Sequence, residues 1–197
     1  MTKLLTLKHW QIFGLLMALP IVFQFIAIIS MFSRNEPTAM FNFFPLIMIL
    51  FVGLYFSWFY ALGTNLHKKL PATVKMNLNK FKIFLLIPVV YMLFISVFMV
   101  GMFSNISTGV QPNPAIFAVI VPLHLFSMFC IFYCLYFNAK ALKTVEWQRS
   151  VTFSDFAGEF FLIWFFPFGI WIIQPRINKL FDPALRVDSN QILEQNF

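Results

Sequence analysis

Ile83-Phe84-Leu85-Leu86-Ile87-Pro88-Val89-Val90-Tyr91-Met92-Leu93-Phe94-Ile95-Ser96-Val97-Phe98-Met99-Val100-Gly101-Met102-Phe103 carries no charged residue. At 1.5 Å of rise per residue, a helix of that length covers a hydrocarbon core of roughly 30 Å. A single chain satisfies its backbone in lipid most simply as helices, which close their hydrogen bonds internally. Comparable runs occupy residues 10–32, 43–62 and 115–137. The expected fold class is therefore all-α: a polytopic membrane helical bundle with four transmembrane helices, forming a single membrane domain over 1–197.

The composition agrees. Hydrophobic residues make up 60% of the chain and charged residues 11%, with 29 Phe and 10 Met among 197 residues. A soluble domain of this size has too much surface to hide that many apolar side chains. The first run is too long for a signal-peptide core and reads as a retained span.

The two halves resemble each other. Leu19-Pro20-Ile21-Val22-Phe23 in span one matches Ile87-Pro88-Val89-Val90-Tyr91 in span three. Tyr55-Phe56-Ser57-Trp58-Phe59-Tyr60 in span two matches Phe132-Tyr133-Cys134-Leu135-Tyr136-Phe137 in span four. The expectation is a tandem parallel repeat of two-helix units, 10–68 and 83–143. A shift of 77 places Gly53 and Ser57 on Cys130 and Cys134. Small residues at i and i+4 share a helix face and permit close packing. That makes Gly53, Ser57, Cys130 and Cys134 candidate helix-packing residues. The Cys pair lacks the spacing and the partners of a metal or redox site, so neither a metal nor a cofactor is expected.

The formal net charge is +7. Lys3 and Lys8 precede span one, and Lys68, Lys69, Lys75, Lys80 and Lys82 lie between spans two and three. Lys140, Lys143 and Arg149 follow span four. The other two connections hold only Arg34, opposed by Glu36. Positive charge on alternate connections orients membrane helices and meets anionic headgroups. The expectation is an integral protein of the bacterial inner membrane with its N-terminus cytoplasmic, and nucleic acid is not an expected partner. Trp10, Trp58, Tyr60, Tyr136 and Trp147 fall near the expected cytoplasmic boundary, as interfacial anchors would.

A fifth hydrophobic segment, 156–173, contains Pro167 and Gly169, and a polar tail, 174–197, follows it. Such a segment is either a kinked span or a re-entrant one. Its length favours a full span. The basic residues Arg176, Lys179 and Arg186 favour re-entry, which keeps them on the side of the other basic connections. Asp182-Pro183 suits the start of a short helix in the tail. Proline also recurs inside the spans at Pro20, Pro45, Pro88 and Pro122, and bent helices open space between them.

Few polar side chains enter the apolar runs. Gln24, Ser96, His124 and Glu159 are the candidate intramembrane polar or functional residues, with Gln24 the expected partner of His124. Glu159 has Asp155, Arg149 and Trp147 near it in sequence, and re-entry of the fifth segment would allow Arg176 to join them. The sequence holds no HExxH, GxSxG or phosphate-binding loop, so an enzyme is the less favoured class. The first expectation is a non-catalytic subunit or assembly factor of a membrane complex, partnered by lipid and by another protein or a second copy. The alternative is a small carrier or lipid-handling protein with a polar cavity near Gln24 and His124. A membrane enzyme using the interface around Glu159 ranks third.

Overall fold

The structure is a computed structural model that describes residues 3–34, 39–109 and 113–181. The regular elements among the described residues are all helical: α1 (Lys3–Thr6), α2 (His9–Phe13), a π-helical turn (Gly14–Ala18), α3 (Leu19–Arg34), α4 (Ala39–His67), α5 (Leu78–Ser107), α6 (Ala115–Trp147), α7 (Phe153–Trp164) and α8 (Phe166–Phe181). Among the described residues, four stretches are long and apolar enough to cross a membrane: His9–Ser30, Pro45–His67, Leu78–Asn105 and Ala115–Trp147. They overlap the four runs read from the sequence, and each extends further at one end or both. This is an all-α arrangement consistent with an integral membrane protein. The helix start expected at Asp182-Pro183 lies outside the described residues.

Local chemistry explains the helix ends. The hydroxyl and backbone N–H of Thr152 both donate to the Asp155 carboxylate, at 2.9 and 2.8 Å, and open α7. Gln148 adopts a positive φ of 51° immediately after α6, which stops the helix as a left-handed residue does. Gly109, at φ 83°, stands just beyond α5. Pro20 is the second residue of α3, just after the π-helical turn. The wider turn accommodates a residue that lacks a donor and crowds the preceding carbonyls.

The chain divides into two compact units. One comprises Met1–Leu15, Trp58–Leu78 and Leu135–Phe197, and the other Leu16–Ser57 and Asn79–Cys134. Among Lys and Arg, only Arg34, Lys80 and Lys82 belong to the second unit. The first unit is thus the polar one. Its core includes Leu5, Trp58, Phe59, Leu62, Leu66, Phe137, Leu142, Phe156, Ile163 and Ile170. In the second unit Phe81, Leu85, Tyr91, Ser127, Cys130 and Cys134 are buried. Long helical faces there stay exposed, including Val97 at 68% and Val119 at 69%, as expected of surfaces solvated by acyl chains.

The fifth hydrophobic segment is not one straight helix. It breaks at Phe165, whose φ of −84° and ψ of 55° are non-helical, into α7 and α8. The two pack on each other as a helical hairpin. Gly169 makes this approach feasible, since a Cβ there would collide with the backbone carbonyl of Leu162. The segment is therefore a doubled-back pair of helices rather than one continuous helix. The physical reason is the Phe165–Gly169 turn: Pro167 carries no N–H, and Gly169 has no side chain to hold the helices apart.

Candidate functional site

Three polar clusters and one groove emerge from this fold. In the second unit, α5 and α6 carry Tyr91 and His124. The Tyr91 hydroxyl lies 3.1 Å from Nδ1 of His124, and their rings are 5.6 Å apart. With Nδ1 unprotonated, the phenol donates this bond. An open groove of about 390 Å³ adjoins the pair, lined by Leu86, Ile87, Val90, Tyr91, Phe94 and Leu123. Its lining is apolar apart from the tyrosine. Ile87 and Leu123 neighbour Pro88 and Pro122, the prolines inside α5 and α6.

In the first unit, α6, α7 and α8 converge on a four-charge cluster. Oε1 of Glu159 accepts from Lys143 Nζ at 2.9 Å and from Arg176 Nη2 at 2.6 Å. Arg176 also grips Glu146 through Nε at 2.8 Å and through Nη2. The Glu159 side chain is 6% exposed and that of Arg176 28%. Burial pushes the Glu159 carboxyl upward, but the bonds from Arg176 and Lys143 outweigh it and hold the group below the usual carboxylate range. The Glu146 carboxylate and, against the effect of burial, that of Glu159 raise the Arg176 guanidinium still further above its ordinary value. Two cations and two anions balance each other, and their bonds brace α7 and α8 against α6.

The third cluster centres on Gln174, which is fully buried on α8. Its carbonyl accepts from Trp58 Nε1 at 3.2 Å. Its amide faces Asn178 Oδ1 at 2.8 Å and the carbonyls of Leu7 and Leu5 at 2.9 and 3.2 Å. Two hydrogens serve three acceptors, so one bond is shared. Asn178 also donates to Leu7 at 3.1 Å. The amide pair thereby ties the N-terminal segment to α8.

No family model, characterised protein or solved structure matches the chain. Geometry alone therefore separates the sequence-derived candidates.

Glu159 lies between Lys143 and Arg176, and Arg176 reaches it because the segment doubles back at Phe165. His124 takes Tyr91 as its partner, in place of the expected Gln24, which is half-buried on α3. Ser96 is buried and donates to the Leu93 carbonyl of its own helix at 2.8 Å. Cys130 and Cys134 are fully buried, with Cys134 Sγ 4.0 Å from the Phe81 carbonyl. Ser57 is half-buried, and Gly53 is exposed, where an added Cβ would meet no described atom within 4 Å. Trp58, expected at the interface, is buried at 1% exposure because its indole N–H is committed to Gln174.

Sequence reading passed over Gln174, Asn178, Tyr91 and Glu146 as functional candidates. Gln174 and Asn178 stand four apart on one helical face, the available sign of a polar stripe beside an apolar run.

Proposed function

We propose that this protein is a small lipid-handling or carrier protein of the membrane, without enzymatic activity of its own. The observation that carries this reading is the apolar groove between Leu86, Ile87, Val90, Tyr91, Phe94 and Leu123, with the Tyr91–His124 pair at its wall. A groove of about 390 Å³ suits part of an acyl chain. The adjoining hydroxyl and imidazole offer a donor and an acceptor to the polar end of an amphiphile. The exposed apolar helices that suggested a partner subunit are served equally well by lipid, so the groove separates the two readings. The reading retains a bacterial inner-membrane location with the basic N-terminal segment on the cytoplasmic side, supported by the alternation of basic and uncharged connections.

Reconstitution in phospholipid vesicles tests it. Purified protein is expected to accelerate movement of a fluorescent phospholipid between leaflets, and to retain phospholipid in native mass spectra. Val90→Trp, which fills the groove from an exposed position, is expected to abolish both. His124→Ala is expected to weaken them. Movement no faster than in empty vesicles, with no retained lipid, would sink the reading.

A further inference from the structure

The α7–α8 hairpin carries its polar groups at one end and its exposed aromatic rings at the other. Near its base stand Asp155, Glu159, Arg176 and Lys179. Around its turn, Trp164, Phe165, Phe168 and Trp171 are exposed by 45, 57, 79 and 47%. Large exposed apolar patches mark interaction surfaces. A turn buried in lipid would normally be excluded by its unpaired backbone groups. This one is largely satisfied from within. Phe165 N–H donates to Phe161 at 2.8 Å, and Phe168 and Gly169 N–H both donate to Phe165, at 3.0 and 2.9 Å. Pro167 has no N–H to satisfy.

We infer that the hairpin is a re-entrant wedge whose occupied surface is the acyl layer of a single leaflet. Its dimensions fit. From the Glu159–Arg176 base to Phe165, α7 rises about 9 Å, and α8 covers about 15 Å between Phe166 and Arg176. Either is about one leaflet of a 30 Å core at most. Charge complementarity fixes which surface the base meets. Arg149 stacks over Trp147 at 4.7 Å, Lys143 lies over the same ring at 4.5 Å, and Lys179 is exposed at the end of α8. Amphipathic indole and cationic groups at the rim suit anionic headgroups, while the tip reaches the chains beneath them. Both ends of the hairpin then lie on one side of the membrane, whichever function the groove serves.

The test is side-specific labelling of single introduced cysteines in sealed vesicles with a membrane-impermeant maleimide. The native Cys130 and Cys134 are buried, and the unsubstituted chain serves as the blank. Ser154→Cys and Lys179→Cys are expected to label from the same side. Phe168→Cys is expected to lose labelling from both sides, and its nitroxide adduct to broaden with oxygen and not with a water-soluble nickel chelate. Trp171→Cys gives the same readout if the first tip variant fails to fold. Labelling of Ser154→Cys and Lys179→Cys from opposite sides would overturn the wedge in favour of a full span. So would a tip reached by aqueous reagents. A tip shielded from oxygen as well as from nickel would assign it to a protein partner, and would equally overturn the proposal.

Discussion

Arg176 Nη2 lies 2.6 Å from Oε1 of Glu159, although the two residues are 17 apart in sequence. A continuous helix would separate their Cα atoms by about 25 Å. The ion pair therefore exists only because the chain reverses at Phe165, and it closes the hairpin at its polar base. Lys143 and Glu146 on α6 complete the cluster, so the same contact fastens α7 and α8 to the end of a long helix.

Neutralising Glu159 should loosen that brace. Glu159→Gln keeps the shape and removes the charge shared by Lys143 and Arg176. Arg176 retains Glu146, so the expected loss is about 1.5–3 kcal/mol, the range of hydrogen bonds to charged groups. The pH dependence has a definite sign. A carboxyl held low in the folded state contributes stability above its unfolded pKa of about 4.3, and that contribution fades as pH falls through the lower, folded value. Thermal unfolding in detergent should show the difference between wild type and Glu159→Gln shrinking below about pH 4. A difference that grew on acidification would refute this assignment. Asp155, held low by its bonds to Thr152, acts in the same direction, and an Asp155→Asn background isolates the Glu159 part.

Gln174 predicts a local opening rather than a global one. Gln174→Leu leaves the buried indole N–H of Trp58 without its acceptor, releases the carbonyl of Leu5 and leaves that of Leu7 with Asn178 alone. An unsatisfied buried group costs about 1–3 kcal/mol. Hydrogen exchange and limited proteolysis are expected to show α1 and α2 opening while α6 stays protected. Unchanged protection over residues 3–13 would show that apolar packing of Leu5 and Ile12 suffices to hold the segment.

How much of this was legible depends on the range of the signal. The four long apolar helices were, because each is marked by an uninterrupted run that only a helix accommodates in lipid. The extension of α6 to Trp147 was less so, since polar Asn138, Lys140 and Lys143 continue the helix past the apolar run. The hairpin lay on a fork: a punctuated apolar run has the same length whether it runs on or doubles back, and the pair that closes it, Glu159 and Arg176, is set by tertiary contact. Trp58 was misplaced for the same reason, as its acceptor is 116 residues away. His124 was legible as an unusual residue but not its partner, because Tyr91, 33 residues earlier, passes as one more aromatic in a Phe-rich helix.

Gly169 offers a test of the crossing itself. Gly169→Leu places a side chain against the Leu162 carbonyl, where backbone rather than a flexible tip blocks it. Overpacking of this kind costs about 1–3 kcal/mol and displaces the helices. If it separates α7 from α8, the Glu159–Arg176 bond is already lost, and adding Glu159→Gln should cost much less than it does alone. A double-mutant cycle on unfolding free energies measures that coupling. Strict additivity would mean the crossing and the ion pair are independent.

Asn138 predicts a gain. Its amide nitrogen and oxygen are both buried without a hydrogen-bond partner among the described residues, and the residue is fully buried on α6. A polar group desolvated without compensation destabilises the folded state, and an apolar side chain of similar volume removes the penalty. Asn138→Leu is therefore expected to raise stability by about 1–3 kcal/mol, read as a higher unfolding temperature in detergent. Asn138→Asp should lower it, because an ionised carboxyl at that position is harder to desolvate than an amide. Thr144, whose hydroxyl is likewise buried and unpartnered, should respond to Thr144→Val in the same direction and more weakly. A loss of stability in Asn138→Leu would refute the assignment of Asn138 as an uncompensated polar group.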